Sequence, residues 1–561
     1  MQLKADLQIN EVMQSNVHGI MDDLNEYPDA WLELYNNSDQ SVNLKDYAVS
    51  VKDAYKKAYR LPDRTVKPGE YVIVYCDKTD HAEFPDALMH ADFRIDSGKG
   101  NVYLWKNGEL AETLELKKMP APDIAYGRQS ETSDEWGYQA KPTPGAANCG
   151  QLVKDMLPDP VFGHKGGLLN APVALELSMP ADAPAKAQLH YTLDGSAPDA
   201  DSPVYTAPIN IEESTVVRAV LTADGYMSPL PVTASFIFHP REQTLPVVSL
   251  TGDPDSFYGS KTGILVEGDY NPDKFNYLYD WRRPVNIEYF ETDGSCPINQ
   301  VIETRLKGNS TRGYPIKSMV LYANKRFGTK RLEYEFFKEQ RSGVTDFKSL
   351  ELRNSGQDFA ELYMRDALLQ QLIAKGGNVD FQAYQPVILY VNGEYTGIIN
   401  LRERSNEDNV YTHFDGLEDI EMMENWSEIK SGNGDLFQSF KNFYNETGHT
   451  LAEYAAQMDI EEFTNVMVGN VIGNNWDFPN NNNIMWRPLA DGGKWRWILK
   501  DADFAMGLWN FNYNSNISVS LLTNRTNQIR LSSAMASAAC SFTNHLWLYL
   551  NIRNTSSTRP W

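Results

Sequence analysis

The sequence has little cysteine and no long apolar run. Its 561 residues include four cysteines, which are too scattered for a disulfide framework or a Cys-x-x-Cys metal site. No stretch of about 18 apolar residues occurs, so we expect no membrane-spanning helix. The first ten residues have no apolar core, and we therefore expect no signal peptide in this stretch.

Positive charge is also scarce. Lys and Arg number 51 against 75 Asp and Glu, which makes the formal net charge −24. Proteins that bind nucleic acid or anionic lipid need a basic face, so we expect neither partner. Any phosphate chemistry must therefore depend on locally placed positive charge. The length exceeds what one hydrophobic core supports, and about three or four domains are expected.

Short alternating runs separated by turns characterise the first part of the chain. This spacing predicts an antiparallel β-sandwich. The runs at 9–12, 31–36, 42–49 and 68–74, closed by the Pro-Thr-Pro-Gly-Ala-Ala-Asn segment at 142–148, resemble a lamin-tail domain. The resemblance covers residues 5–149 and implies an immunoglobulin-like binding or spacer module.

A second all-β unit is predicted at 171–240, after a Pro- and Gly-rich linker at 150–170. Strand–turn–strand signals in this unit resemble the small β-sandwich at the C-terminus of chitobiase-type enzymes, an accessory domain. Asp194 stands in an Asp-Gly pair, which favours a turn over a metal ligand.

The remainder, from about residue 245, has a mixed pattern. Strands are predicted at 245–250 and 285–290. Apolar residues that recur every three and four positions predict helices at 360–374, 437–446 and 460–473.

Residues 474–507 place acids and amides at the edges of two short apolar runs. Asp477 is followed five residues later by Asn482, and Asp501 and Asp503 follow the next run. Carboxylate and carboxamide oxygens suit a hard divalent cation such as Mg²⁺. The order matches the catalytic Asp, the metal-binding Asn and the later metal Asp of a kinase-like phosphotransferase. The alternative is a hairpin with polar tips.

The segment 305–321 is a loop rich in Gly and hydroxyl residues, flanked by basic residues, that leads into a run carrying Lys317. Glycine permits close backbone approach, and N–H groups with Lys or Arg can hold phosphate. The segment has neither the Walker pattern nor G-x-G-x-x-G, and a Gly-Asn turn between strands would explain most of it.

Two further motifs lie between these segments: an Arg365-Asp366 pair on a predicted helix and a hairpin at 387–403. Adjacent helix residues do not face each other, which favours separate structural salt bridges for that pair. Taken in order with the two segments above, these motifs resemble the CotH-type spore-coat kinases, atypical secreted or surface protein kinases. The resemblance covers about residues 245–510.

The resemblance implies a multidomain chain: two all-β immunoglobulin-like sandwiches followed, at 245–530, by an α+β atypical protein-kinase-like domain that binds ATP and Mg²⁺ or Mn²⁺ between two lobes. It makes Lys317 the residue that neutralises ATP phosphates. Asp477 would orient or deprotonate the acceptor hydroxyl. The metal would be held by Asn482 and by either Asp501 or Asp503. The loop that covers ATP would be formed by Lys307, Gly308, Asn309, Ser310, Arg312 and Gly313.

Two positions depart from the family pattern. Ile316 stands where the first of two lysines is usual, and Lys500 stands where tryptophan is common. Further positive charge at the site would come from Arg305, Lys307 or Arg312. Because neither departure removes an essential charge, both an active and a weakened or non-catalytic kinase remain open.

The function predicted from these features is phosphoryl transfer from ATP to Ser or Thr of a protein acceptor, on a bacterial protein that is secreted or at the cell surface. One alternative is a non-catalytic adhesion protein whose sandwiches bind a surface protein or glycan. A carbohydrate-active enzyme is less favoured because no paired carboxylates stand out.

The end of the chain differs in composition from the rest. After Asp503 the sequence contains no Asp or Glu. Residues 531–561 match no part of the family pattern, and we expect an unassigned segment there, with an aberrant or truncated C-terminus as one interpretation.

Overall fold

The computed structural model describes residues 6–84, 88–139, 141–238, 244–475, 477–479 and 481–508. The tail predicted to be unassigned, at 531–561, lies outside the described residues. The chain folds as two compact units: unit 1 comprises Met1–Leu306, Tyr322–Lys330 and Ile388–Gly397, and unit 2 comprises Lys307–Leu321, Arg331–Val387 and the chain from Ile398 onward. Within the described ranges, no helix is long and apolar enough to cross a membrane.

Unit 1 begins with an antiparallel β-sandwich, as the alternating runs predict. A six-stranded sheet in the order β12-β11-β10-β1-β2-β7 faces a core shared with the four-stranded sheet β5-β4-β8-β9. The strands are β1 (Leu7–Met13), β2 (Trp31–Asn36), β3 (Val42–Asn43), β4 (Tyr47–Ser50), β5 (Tyr59–Arg60), β6 (Thr65–Val66), β7 (Tyr71–Tyr75), β8 (Gly100–Lys106), β9 (Glu109–Leu116), β10 (Ala125–Arg128), β11 (Trp136–Gln139) and β12 (Leu152–Val153).

The segment that closes this sandwich is held by two buried glutamates. Glu11 on β1 and Glu33 on β2 are direct partners across the sheet. Thr143 donates its backbone N–H to Glu11 at 3.1 Å, and Gly145 donates to Glu33 at 2.5 Å. Burial, together with the adjacent Glu33 charge, raises the pKa of Glu11 to about 8. The Pro-Thr-Pro-Gly-Ala-Ala-Asn segment is therefore fastened to the six-stranded sheet, since its N–H groups satisfy buried carboxyl groups. β12 follows this segment and adds the last strand of the same sheet.

The second sandwich contains a four-stranded sheet, β14-β20-β19-β17, and the pairs β13–β16 and β15–β18. Residues 150–170, predicted as a linker, contribute β12, β13 and β14 to the two sandwiches. Asp194 Oδ1 accepts hydrogen bonds from the backbone and side chain of Ser196, at 2.9 and 2.6 Å, which is a turn interaction. The strands are β13 (Val161–Phe162), β14 (Gly167–Leu169), β15 (Val173–Leu175), β16 (Leu177–Ser178), β17 (Gln188–Thr192), β18 (Ile209–Ile211), β19 (Thr215–Thr222) and β20 (Val232–Phe238).

The rest of the described chain mixes strands and helices. Its elements are β21 (Val247–Thr251), α1 (Pro254–Tyr258), β22 (Arg283–Phe290), β23 (Ile298–Leu306), β24 (Met319–Tyr322), β25 (Leu332–Glu333), β26 (Asp346–Phe347), β27 (Ser349–Arg353), α2 (Arg365–Gly376), β28 (Tyr384–Val391), β29 (Glu394–Arg402), α3 (Glu407–His413), β30 (Ile420–Glu424), β31 (Glu428–Ser431), α4 (Asp435–Asn445), α5 (Leu451–Gln457), α6 (Ile460–Ile472), β32 (Ile484–Pro488) and β33 (Arg496–Ile498).

Within unit 1, β22 joins the second sandwich to the following sheet. β21 pairs antiparallel with β22 and parallel with the end of β28. A cluster of buried apolar residues, among them Ile237, Val247 and Phe290, fills the space between them. Glu288 on β22 accepts the hydroxyl hydrogen of Ser235 on β20, and burial raises the pKa of Glu288 to about 7.

Unit 2 is built on the antiparallel pair β27–β29 and on the sheet β31-β30-β32-β33. The three predicted helices are present as α2, α4 and α6. α2 begins at Arg365 rather than at residue 360, because Tyr363 has a left-handed φ of 64° and a short 3₁₀ helix precedes it at Gly356–Ala360. α6 begins as predicted, with the Asp459 side chain accepting from the Glu462 N–H.

Candidate active site

The loop between α6 and β32 positions Asp477 and Asn482. Asp477 Oδ2 accepts hydrogen bonds from the side-chain amides of Asn481 and Asn482, both at 2.9 Å. The same Asn482 nitrogen lies 3.4 Å from the Asp501 carbonyl oxygen. This proximity follows from strand pairing: Ile484 is the partner of Ile498, so residues just before β32 lie beside residues just after β33.

Asp501 and Asp503 both pair with Arg353, the last residue of β27. The Arg353 Nη2 atom bonds to Asp501 Oδ1 and lies 3.3 Å from Asp503 Oδ2. Burial and the neighbouring Asp501 charge raise the pKa of Asp503 to about 8, against the opposing effect of Arg353. Asp501 is the more exposed of the two, with a quarter of its side chain accessible.

A glycine lets Asp503 approach the backbone. Gly356 has a φ of 58°, and a Cβ at this position would clash with Asp503 Oδ2. The next residue, Gln357, donates its backbone N–H to the same oxygen at 2.7 Å. Its side chain also donates to Ser310 Oγ at 3.0 Å. Gln357 therefore links the Gly-rich loop directly to the acid pair.

Asp366, in the first turn of α2, contacts Arg353, Arg402 and the backbone between the two acids. It pairs with Arg402 on β29 and lies 3.2 Å from Arg353 Nε. Its Oδ1 accepts the Ala502 N–H at 2.8 Å. Burial disfavours its charge, but the Arg402 and Arg353 guanidinium groups outweigh burial and lower the pKa of Asp366.

The neighbouring Arg365 points elsewhere. It pairs with Asp358 at 2.9 Å and with Glu361 at 2.6 Å. The prediction that Arg365 and Asp366 serve separate salt bridges is confirmed.

Two basic side chains, Arg404 and Lys500, lie close to Lys307, which directly follows β23. Lys307 pairs with Glu351 on β27, two positions before Arg353 and hence on the same face of the strand. Burial, together with the nearby charges of Arg404 and Lys500, lowers the pKa of Lys307 to about 8, against the opposing effect of Glu351. Unit 2 of this acidic protein thus concentrates positive charge around Lys307.

The Gly-rich loop is ordered by its own polar contacts. Lys317 is buried and donates from Nζ to the carbonyls of Arg312, at 2.7 Å, and Tyr314, at 3.1 Å. Arg312 donates from Nε to the Gly308 carbonyl at 2.7 Å. Gly308 has a φ of 99°. Ser310 begins a short 3₁₀ helix that ends at Gly313 and is preceded by Asn309.

Arg305 belongs to unit 1. It pairs there with Asp280 at 3.0 Å and donates to the Tyr322 hydroxyl at 3.0 Å. The sequence offered it as additional positive charge for the site, a role that stays a prediction.

A His- and Asp-rich cluster in the first sandwich also has the composition of a metal site. In the described part of the chain, Asp22, Asp77 and His90 place one ligand atom each within 4.8 Å of the others. Both ring nitrogens of the buried His90 already contact carboxylates: Nδ1 is 2.8 Å from Asp77 and Nε2 is 2.5 Å from Asp23. Burial lowers the pKa of His90, but these hydrogen bonds outweigh it and raise the pKa to about 9. His90 is thus a buried cation, not a neutral metal ligand.

Glu351, Arg353 and Arg404 were not among the predicted site residues, and Lys500 was noted only as a departure from a family pattern. Arg353 bonds to an acid 148 positions away, which no local pattern indicates. The sequence signal for Glu351 and Arg353 was their spacing of two positions along a strand, which places both side chains on one face.

Three family models match the chain. They are the Lamin Tail Domain at residues 2–118, the chitobiase/β-hexosaminidase C-terminal domain at 164–233, and the CotH kinase protein family at 304–533. No curated protein matches the chain significantly. The three resemblances inferred from motifs are therefore confirmed in their order along the chain. The CotH match includes all the site residues from Lys307 to Asp503.

Proposed function

We propose that unit 2 carries an ATP- and Mg²⁺-dependent kinase that transfers phosphate to Ser or Thr of a protein acceptor. The observation that supports this most strongly is the Asn482 amide, which joins the Asp477 carboxylate to the Asp501 backbone at 2.9 and 3.4 Å. A potential base and potential metal ligands thereby lie side by side. A surface or secreted location, as the family's spore-coat association suggests, is part of the proposal.

Asp477 is the proposed catalytic residue. Phosphoryl transfer depends on position and electrostatics more than on covalent chemistry. The amides of Asn481 and Asn482 fix one oxygen of Asp477, at 2.9 Å each. The other oxygen would then accept the hydroxyl proton of the acceptor Ser or Thr.

The donor set suits the proposed metal. Asn482, Asp501 and Asp503 offer only oxygen atoms, the ligands that Mg²⁺ and Mn²⁺ prefer. When bound, the metal would neutralise charge on the transferred phosphoryl group. Asp501, the more accessible acid, is the first candidate, and Asp503 is held against the Gln357 N–H at 2.7 Å.

Two lysines are candidates for the group that neutralises ATP phosphates. The family motif indicates Lys317, which holds the loop carbonyls of Arg312 and Tyr314. The charge distribution makes Lys307 the second candidate, because the positive charges of Arg404 and Lys500 lie near its ammonium group. The backbone N–H groups of the loop from Gly308 to Gly313 would complete the cradle.

The test is a transfer assay with the full chain. Purified protein is incubated with γ-labelled ATP, Mg²⁺ or Mn²⁺, and dephosphorylated casein or a Ser-rich peptide, beside Asp477→Asn. Asp491→Asn, an exposed turn position in the same unit, is the matched control. We expect label on Ser or Thr with the wild type and the control and at least a hundredfold less with Asp477→Asn. Equal labelling by all three, or none by any, contradicts the proposal.

A second candidate is a non-catalytic surface protein that uses unit 2 as a scaffold and its sandwiches to bind a protein or glycan. It is favoured by Arg353, whose guanidinium pairs with both Asp501 and Asp503 and so supplies positive charge to the acids without metal.

A further inference from the structure

The guanidinium of Arg353 lies at the point where the two proposed metal acids meet. One nitrogen, Nη2, bonds to Asp501 and is 3.3 Å from Asp503. A single cation that belongs to the protein thereby contacts both acids.

The two acids depend on this arginine more than their neighbour does. In the part of the chain that the structure describes, Arg353 is the only basic side chain paired with Asp501 or Asp503. Asp366, in contrast, pairs with Arg402 as well as with Arg353. If Arg353 turned away, Asp366 would keep a partner, whereas Asp501 and Asp503 would be left as adjacent carboxylates.

A guanidinium and a divalent ion cannot use the same carboxylate oxygens together. Mg²⁺ requires its oxygen ligands at about 2.1 Å, which leaves no room for an N–H donor on the same lone pairs. A guanidinium and a divalent ion that contact the same carboxyl groups would also repel each other, and this repulsion is strong in buried surroundings. Binding of metal through Asp501 Oδ1 and Asp503 Oδ2 therefore competes with Nη2 of Arg353.

We propose that Arg353 is a built-in counter-ion that competes with the metal for Asp501 and Asp503. It holds the acid pair together without metal and lowers the affinity for divalent ions. Because the Arg353 Nε lies 3.2 Å from Asp366, the side chain keeps one partner when Nη2 is displaced. The inference rests on the proposed function for the identity of the metal ligands.

The test measures metal binding in the absence of ATP. Free Mn²⁺ is titrated into the full chain and followed by its electron paramagnetic resonance signal, for the wild type, Arg353→Gln and Arg353→Lys. Arg331→Gln, which removes an ion pair with Asp346 elsewhere in unit 2, is the matched control. We expect Arg353→Gln to bind Mn²⁺ about tenfold more tightly or better, because a competing positive charge is gone.

Arg353→Lys guards against misfolding of the neutral variant. A lysine keeps the charge but lacks the second arm of the fork, so it should hold the acid pair less well and tighten Mn²⁺ binding severalfold. The control should match the wild type. Thermal unfolding provides an independent readout: added Mn²⁺ should raise the Tm of Arg353→Gln more than that of the wild type.

The outcomes separate this inference from the proposed function. Mn²⁺ affinity that is unchanged or lower in both Arg353 variants overturns the inference, whatever the transfer assay shows. Tightened binding without any phosphoryl transfer leaves the inference standing and contradicts the kinase assignment.

Discussion

The side-chain amide of Asn482 donates to Asp477 Oδ2 at 2.9 Å and lies 3.4 Å from the Asp501 carbonyl, so one residue joins the proposed base to the proposed metal site. Asn481 donates to the same Asp477 oxygen at 2.9 Å but is exposed. The two asparagines therefore share one contact and differ in the second. This difference makes them a matched pair.

We expect Asn482→Ala to lower kcat/KM for phosphoryl transfer by about a hundredfold, because it removes both a metal oxygen and an orienting bond. Asn481→Ala, which removes only an orienting bond, should cost about tenfold or less. Steady-state kinetics over a range of Mg²⁺ concentrations check this. Equal losses in the two variants would contradict the metal role of Asn482.

The two candidate phosphate lysines should respond differently to substitution. Lys307→Met should weaken ATP binding at least tenfold and leave the loop folded, because Lys307 pairs with Glu351 outside the loop. Lys317→Met should chiefly lower stability, since it leaves two loop carbonyls without their buried donor. ATP titration calorimetry and thermal unfolding of both variants show which lysine binds ATP and which stabilises the loop. An ATP affinity that falls only with Lys317→Met would restore the motif-based assignment.

Gly356→Ala should displace Asp503. Its φ of 58° and the clash of a Cβ with the carboxylate both act against alanine. Gly343→Ala is the control, because Gly343 also has a positive φ, 81°, but nothing lies within 4 Å of its Cβ position. We expect a loss of about 1–3 kcal/mol for Gly356→Ala and about 1 kcal/mol for the control. Mn²⁺ affinity should fall only in Gly356→Ala; an equal effect of the two substitutions on Mn²⁺ binding would refute the displacement.

The stability of the first sandwich should depend on pH through His90. Its pKa is about 9 in the folded protein, while an unfolded histidine titrates near 6.5. The folded state therefore binds more protons between these values, so the stabilisation is complete below about pH 6.5 and is lost as pH rises through 9.

His90→Gln should accordingly lower the Tm of the first sandwich most at pH 6 and least above pH 9. Calorimetric unfolding at pH 6, 7.5 and 9.5 measures the difference from the wild type. His164→Gln, in the second sandwich, serves as control. A difference that stays constant over this pH range would show that His90 is not a buried cation.

The strands and helices were predictable where one local pattern dominates. α6 was predicted at 460–473 and occurs at Ile460–Ile472, because apolar residues three and four apart share one face and Asp459 caps the start. The start of α2 was missed by several residues. A left-handed φ at Tyr363 ends the preceding turn, and side-chain periodicity does not report backbone φ.

The candidate site was predictable only in part. Asp477, Asn482, Asp501 and Asp503 stand out in the sequence because polar oxygens flank two short strands. The basic half of the site was predicted in part. Lys307 was predicted, but its pairing with Glu351, 44 positions away, and the nearby charges of Arg404 and Lys500 were not.

The sequence by itself determined the order of the three domains, the positions of α4 and α6 and the oxygen-rich segment, because each shows a pattern among residues a few positions apart. Only the tertiary structure decided that Arg353 contacts both Asp501 and Asp503, and that Lys317 bonds to its own loop. Partner choice of this kind depends on which strand ends the fold brings together. Which strand ends meet depends on core packing and burial over the whole unit, and no short stretch of sequence contains this information.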